Sequence, residues 1–129
     1  MLFRSFMDSL RKGKLTPNID PALYYIAKPS MQNFIMSYCR YDPIKGAKRI
    51  KVPLLFIQGS TDKMVNVENG RRFKKAKSEA TLLEIKGMNH ILKDAPDDDE
   101  QNVATYSKPA LPLSAALVPG IVEFVNRVR

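Results

Sequence analysis

The segment that decides the fold runs from Val52 to His90 and reads VPLLFIQGSTDKMVNVENGRRFKKAKSEATLLEIKGMNH. Two short apolar runs, Pro53–Ile57 and Thr81–Ile85, each lead into a loop that begins with glycine. A continuous apolar run, without polar alternation, is typical of a strand that is buried on both faces of a parallel sheet. Parallel strands need a crossover connection, which is usually a helix. The segment therefore predicts a parallel β-α-β unit.

The predicted crossover helix has a narrow apolar face and a strongly basic outer face. Asn66 is placed to cap its first turn, where Glu68 would be favoured by the helix dipole. Small or apolar residues recur at every third position and are expected to face the sheet: Val67, Gly70, Phe73 and Ala76. The basic residues are expected to face water: Arg71, Arg72, Lys74, Lys75 and Lys77.

Each predicted strand is followed by one side chain that can titrate. Asp62 lies in the loop Gly59-Ser60-Thr61-Asp62, and His90, the only histidine, ends the loop Gly87-Met88-Asn89-His90. Since the carboxyl ends of parallel strands share one edge of a sheet, both side chains are expected at the same edge. A histidine held by a carboxylate at one ring nitrogen can accept a proton at the other. Local hydrogen bonding of His90 and a turn-stabilising role for Asp62 are the structural alternatives.

The order and spacing of these pieces resemble the C-terminal half of an α/β-hydrolase. The matching residues are Val52 to Asp62 and Gly87 to His90, and the resemblance extends from about residue 40 to the end. It implies that Asp62 is the acid and His90 the base of a Ser-Asp-His triad. It also implies hydrolysis of an ester, amide or peptide substrate by the whole protein.

The chain departs from that family at the nucleophile. No serine lies in a G-x-S-x-G elbow, and Ser60 shares the loop of the acid, where a nucleophile is not expected. The chain is therefore expected to be a C-terminal fragment of a serine hydrolase, inactive by itself. Residues 1–49 are predicted to form a helical cap or lid, and residues 50–129 the C-terminal part of the hydrolase core.

Helices are predicted on both sides of the β-α-β unit. At the N-terminal side, Leu2 to Leu10 would form a helix ending at Gly13, Asp20-Pro21 and Asp42-Pro43 would start two short helices, and Ser30 would cap another. The helix after Ser30 would bury Met31, Phe34, Ile35, Tyr38 and Cys39. Asp94 to Pro112 is predicted to be a solvated acidic loop. The final helix would bury Ile121, Phe124, Val125 and Val128.

Composition narrows the function classes. The net charge of +8 is spread along the chain, and no aromatic residue alternates with the basic patch Arg71 to Lys77, so nucleic-acid binding is not expected. No apolar run approaches the length of a membrane span, and residues 1–8 lack the features of a signal peptide. A metal site from Asp62, His90 and Asp94 lacks helical ligand spacing, and no nucleotide motif occurs. Neither a metal nor a cofactor is expected.

The sequence thus predicts an α/β fold with leading helices, a small parallel β-α-β element and a C-terminal helix. A second function class stays open, namely a non-catalytic module that self-associates or binds a partner. The apolar strand Val52 to Ile57 would lack a neighbour on one side, and an open strand edge pairs readily with another chain. A homo-oligomer of this chain is therefore expected.

Overall fold

The computed structural model describes residues 3–17 and 19–129 and divides the chain into two compact units. Met1–Gly46 is called the helical unit below, and Ala47–Arg129 the sheet unit. The division falls within a helix, Pro43–Arg49, close to the predicted boundary between residues 49 and 50.

The helical unit contains α1 (Phe3–Arg11), a 3₁₀ turn (Pro21–Leu23), α2 (Tyr24–Ala27) and α3 (Pro29–Cys39), followed by the start of α4 (Pro43–Arg49). Gly13 terminates α1 as predicted, since it adopts φ 73° just after the last helical residue, Arg11. The Gly13 amide then donates to Leu10 O at 2.9 Å and the Lys14 amide to Ser9 O at 3.0 Å, which closes the helix end. Leu2, predicted on the same helix, lies outside the described residues.

A small apolar core holds the helical unit together. Phe6, Leu10 and Ala27 are buried, and partly buried side chains pack against them: Met7, Ile19, Leu23, Ile35 and Met36. The predicted helix starts at Asp20 and Asp42 are confirmed. Each aspartate accepts a backbone N–H, from Ala22 at 2.9 Å and from Lys45 at 3.0 Å.

The predicted start of α3 is wrong, and its predicted apolar stripe is only partly confirmed, since Ile35 packs against the core and Met31 and Cys39 are partly buried. The helix begins at Pro29, one residue before the predicted cap Ser30. Phe34 and Tyr38 are exposed by 61% and 72% and stack on each other with ring centroids 6.3 Å apart. The inward face is instead centred on Gln32, which is 1% exposed. Gln32 Oε1 accepts the Thr16 amide at 2.8 Å, and Nε2 donates to Thr16 O at 2.8 Å and to Ala27 O at 2.9 Å. These hydrogen bonds hold the Gln32 face of the helix toward the interior of the unit.

The sheet unit is built on the predicted β-α-β element: β1 (Leu55–Gly59), α5 (Glu68–Ala76) and β2 (Thr81–Ile85). The strands are parallel, with Leu55 opposite Thr81 and Gly59 opposite Ile85. β2 has the predicted bounds, whereas β1 begins after Pro53 because proline has no N–H for the ladder. α6 (Asp99–Ala104), a 3₁₀ turn (Thr105–Ser107) and α7 (Leu117–Val128) follow.

Helices cover both faces of this two-stranded sheet. On one face the Phe56 and Phe73 rings lie 5.0 Å apart, and Gly70 allows α5 to approach Gln58 and Leu82. On the other face, Ile85, Met88 and Leu117 form a buried cluster, with Leu83 and Ile121 packed against it. Over the described residues the chain is thus a mixed α/β protein with seven α-helices and one two-stranded parallel sheet.

Two predictions about exposure are wrong. Lys77, expected in water, is 6% exposed because its ammonium group donates to Ile50 O at 2.9 Å and to Glu79 at 2.7 Å. Val125 and Val128 of α7 are exposed by 39% and 42%, since the helix buries Leu117 and partly covers Ile121 and Phe124 on a neighbouring face.

The predicted acidic loop is also partly wrong, because α6 and a 3₁₀ turn lie within it. Asp98 caps α6 by accepting the Gln101 amide at 2.9 Å. Asp99 and Glu100 then occupy the first turn, where the helix dipole favours negative charge. The acidic run is therefore a helix start.

Candidate functional site

The structure brings the two predicted site residues together. His90 Nδ1 lies 3.1 Å from Asp62 Oδ2, across the carboxyl ends of adjacent parallel strands. The residues are 28 positions apart in sequence, so the contact is produced by the β-α-β crossover between them. This geometry is what the sequence predicts for the pair.

Asp62 is held in one orientation by its own loop. Its side chain is 9% exposed, and Oδ1 accepts the backbone amides of Met64 at 2.9 Å and Val65 at 2.8 Å. Burial would raise the pKa of Asp62, but hydrogen bonds from Val65, His90 and Met64 outweigh it and lower the pKa. Asp62 is therefore a carboxylate at neutral pH, with Oδ2 directed to the histidine.

His90 is the more accessible partner, with 44% of its side chain exposed. An ionised Asp62 can only accept a hydrogen bond, so it fixes the neutral imidazole with its proton on Nδ1. Nε2 is then an acceptor, and no side chain or backbone group in residues 3–17 and 19–129 is bonded to it. The pair has the arrangement of a general base with its orienting acid.

A hollow of about 220 Å³ adjoins the pair. It is lined by both site residues and by mostly apolar neighbours from β1 and the two loops: Ile57, Gly59, Val65, Met88 and Leu92. Because β1 pairs only with β2 among the described residues, the hollow lies beside an open strand edge. His90 is among the residues that line this hollow.

The two loops interlock through their backbones. The Thr61 amide donates to Met88 O at 3.1 Å and the Ser60 amide to Ile85 O at 3.0 Å. A Cβ at Gly59 would collide with the Met88 carbonyl group, so this close approach requires glycine. The Ser60 hydroxyl accepts the Gly87 amide at 2.9 Å and thus has a structural role, as expected for a serine outside an elbow.

The histidine loop is shaped by the residue before it. Asn89 is 1% exposed, and its Oδ1 accepts the amides of Ile91 at 3.2 Å and Lys93 at 3.1 Å. Leu92 adopts φ 65°, the only positive φ outside glycine among the described residues. Its amide donates to Asn89 O and its carbonyl accepts Ser114 N, so hydrogen bonds on both sides hold a strained turn next to His90.

Sequence reasoning missed four polar residues around the site: Gln58, Asn89, Asn102 and Thr105. Gln58 lies one residue beyond the predicted apolar run but inside the observed β1, and its Nε2 lies 3.5 Å from Asp62 Oδ2. Asn102 and Thr105 belong to the region expected to be a solvated loop. The one usable signal was Asn89, a turn-forming residue directly before the histidine.

Other site types find no support in the described part of the chain. It has no cluster of three or more potential metal-ligating side chains. None of its helices combines the length and apolarity needed to cross a membrane. No protein-family model, no curated protein and no solved structure was found to match this chain. The hydrolase resemblance therefore depends on the residues and geometry described above.

Proposed function

We propose that this chain is the C-terminal part of a serine hydrolase of the α/β-hydrolase superfamily, acting on an ester, amide or peptide substrate. Asp62 is the triad acid and His90 the general base. The observation that carries the proposal is the 3.1 Å contact of Asp62 with His90 at the carboxyl ends of adjacent parallel strands. The fold alone would support many other functions.

In the proposed reaction, each of the two residues has a separate role. His90 Nε2 takes the proton of the nucleophilic serine as its oxygen attacks the carbonyl carbon, and later returns a proton to the leaving group. Asp62 holds the imidazole tautomer and stabilises the imidazolium. The serine and most of the oxyanion hole come from residues other than these 129, so the isolated chain is inactive.

Exposed aromatic side chains on the helical unit fit the proposed cap function. Tyr25, Tyr38 and Tyr41 are exposed by 89%, 72% and 82%, and Phe34 by 61%. Phe34 and Tyr38 stack on each other and so form one exposed apolar patch, which is a feature of surfaces that contact a ligand or another protein segment. We assign residues 1–49 to a cap or lid on this basis.

The test begins with the reading frame upstream of Met1. We expect a G-x-S-x-G motif after an apolar strand-like run, and labelling of that serine in the full-length product by a fluorophosphonate probe. His90→Gln in the full-length product should reduce labelling at least about 1000-fold. Full labelling of the His90→Gln product, or a frame without any such motif, would refute the hydrolase assignment.

A self-associating module is the second candidate function, and the open edge of β1 favours it. A two-stranded sheet has only marginal stability by itself. Val52, which precedes β1, and Ile57, within β1, are exposed by 64% and 36%. Pairing of β1 edges from two copies would extend the sheet to four strands. Light scattering should then give at least the dimer mass at high protein concentration, and a monomer mass would exclude this candidate.

A further inference from the structure

One segment, residues 97–105, contacts both loops of the candidate site. Asn102, at the centre of α6, donates from Nδ2 to Thr61 O at 2.9 Å, next to Asp62. Three residues later, Thr105 Oγ1 accepts from Asn89 Nδ2 at 2.7 Å, next to His90. The segment thus lies against the acid loop and the histidine loop at once.

The two contacts are joined into one series of hydrogen bonds. Thr105 Oγ1 donates to Asn102 O at 2.6 Å while it accepts from Asn89. The series runs from Thr61 through Asn102 and Thr105 to Asn89. The bond between Thr105 Oγ1 and Asn102 O joins the two end contacts, and buried hydrogen bonds connected in this way act as a network.

Asn102 is fully buried, with 0% of its surface exposed. Its Nδ2 donates to Thr61 O and to Pro96 O, each at 2.9 Å, while its Oδ1 has no hydrogen-bond partner within residues 3–17 and 19–129. Through the first of these donated bonds the buried side chain holds the Thr61 carbonyl group, directly before the acid.

Ion pairs on the outside of the segment add to the same attachment. Lys63, the residue after Asp62, lies 2.8 Å from Asp97 and 2.9 Å from Asp99. These hydrogen bonds raise the pKa of Lys63. Exposed pairs contribute little stability, so the buried bonds of Asn102 and Thr105 are the main connection.

We propose that Asn102 and Thr105 are positioning residues that set the distance between Asp62 and His90. Neither residue touches a substrate or a reacting atom. Their catalytic meaning rests on the proposed hydrolase function, whereas the positioning itself is a property of this chain and is measurable without activity.

The experiment measures the pKa of Asp62 by carboxyl ¹³C NMR in the 129-residue chain. Thr105→Val keeps the shape of the side chain but removes both hydrogen bonds. We expect the pKa of Asp62 to rise toward its ordinary value because its contact with His90 lengthens. Thr105→Ser should restore the wild-type pKa, and Gln101→Ala, an exposed change on the same helix, should leave it unaltered.

Other charged and titratable groups of the described residues that lie near the carboxylate include Lys63, its ion-pair partner Asp97, and Tyr106. Burial and the charge of Asp62 raise the pKa of Tyr106. None of these side chains is substituted in any of the variants, so the comparison among Val, Ser and Ala at position 105 reports the hydrogen-bond series. If Thr105→Val does not fold, the same pKa measurement is made on Thr105→Ala, which leaves room for a water molecule.

A wild-type pKa of Asp62 in folded Thr105→Val or Thr105→Ala would overturn the proposal. The outcome is independent of the nucleophile, because no catalytic step is measured. If the pKa rises as expected but no G-x-S-x-G is encoded upstream, the positioning stands and the hydrolase function falls.

Discussion

Both units of the chain contain a buried amide side chain that holds a loop, but they use it differently. In the helical unit, Gln32 bonds Thr16 and Ala27 with its oxygen and its nitrogen, so it closes a local gap and leaves neither atom unpaired. In the sheet unit, Asn102 reaches a loop 41 positions away in sequence with its nitrogen, while its Oδ1 finds no partner in the part of the chain that the structure describes. The first arrangement serves stability, and the second serves the placement of a particular loop.

Among the variants that test the loops and their buried amides, the largest expected effect comes from the close approach of the two site loops. Gly59→Ala places a methyl group against the backbone of Met88, which cannot move without breaking the bond from Thr61. We expect a loss of about 3 kcal/mol in the free energy of unfolding of the sheet unit. Urea unfolding followed by amide signals of β1 and β2 measures it.

Gly46→Ala is the matched control for that variant. Nothing lies within 4 Å of a Cβ at Gly46, which sits inside α4. The same substitution should therefore stabilise the chain by up to about 1 kcal/mol, because alanine favours a helix interior. Equal effects at both glycines would show that the site loops do not approach as described.

The second prediction tests the amide of the helical unit. Gln32→Ala removes three hydrogen bonds and leaves Thr16 N, Thr16 O and Ala27 O buried without a partner. We expect a loss of about 2 kcal/mol, measured by hydrogen exchange of α1 and α3 amides. The matched control is Asn33→Ala, which removes an exposed amide side chain from the next position of the same helix. A loss of similar size in Asn33→Ala would contradict the role of Gln32.

The sequence predicts the parts of this fold that follow from apolar patterning and backbone chemistry. The β-α-β unit, its parallel strands and the meeting of Asp62 with His90 follow from two apolar runs and one crossover. Helix ends at Gly13, Asp20 and Asp42 follow from local capping. The face of α3 could not be predicted this way, because a buried polar Gln32 replaces an apolar side chain at the centre of that face.

The same limit explains the missed neighbours of the site. The three missed residues are polar and lie in segments that have no periodic pattern of apolar residues: Asn89, Asn102 and Thr105. The sequence therefore predicts that they are exposed. Their burial depends on partners up to 41 positions away. Long-range polar pairing leaves no periodic signal in a single sequence, whereas a buried strand does.

The third prediction concerns pH and the acid of the candidate site. The folded-state pKa of Asp62 is lowered, so its contribution to stability is complete above the unfolded-state pKa and is lost as pH falls through the folded-state value. Asp62→Asn should therefore destabilise the chain by about 1 kcal/mol at pH 7. The difference should shrink as pH falls below about 4 in urea unfolding experiments. A difference that grows in acid would contradict a lowered pKa.

The smallest expected effect is that of an exposed phenylalanine in the helical unit, with a buried one as its reference. Phe6 is 1% exposed in the core, whereas Phe34, which apolar spacing assigns to the core, is 61% exposed. Phe34→Ala should cost less than about 0.5 kcal/mol, and the reference Phe6→Ala about 3–5 kcal/mol through the cavity it leaves. Thermal unfolding of both variants compares them directly. A large loss in Phe34→Ala would mean that this aromatic face is covered in the folded chain, as in a self-associated form, and light scattering of the same samples would then show a mass above one chain.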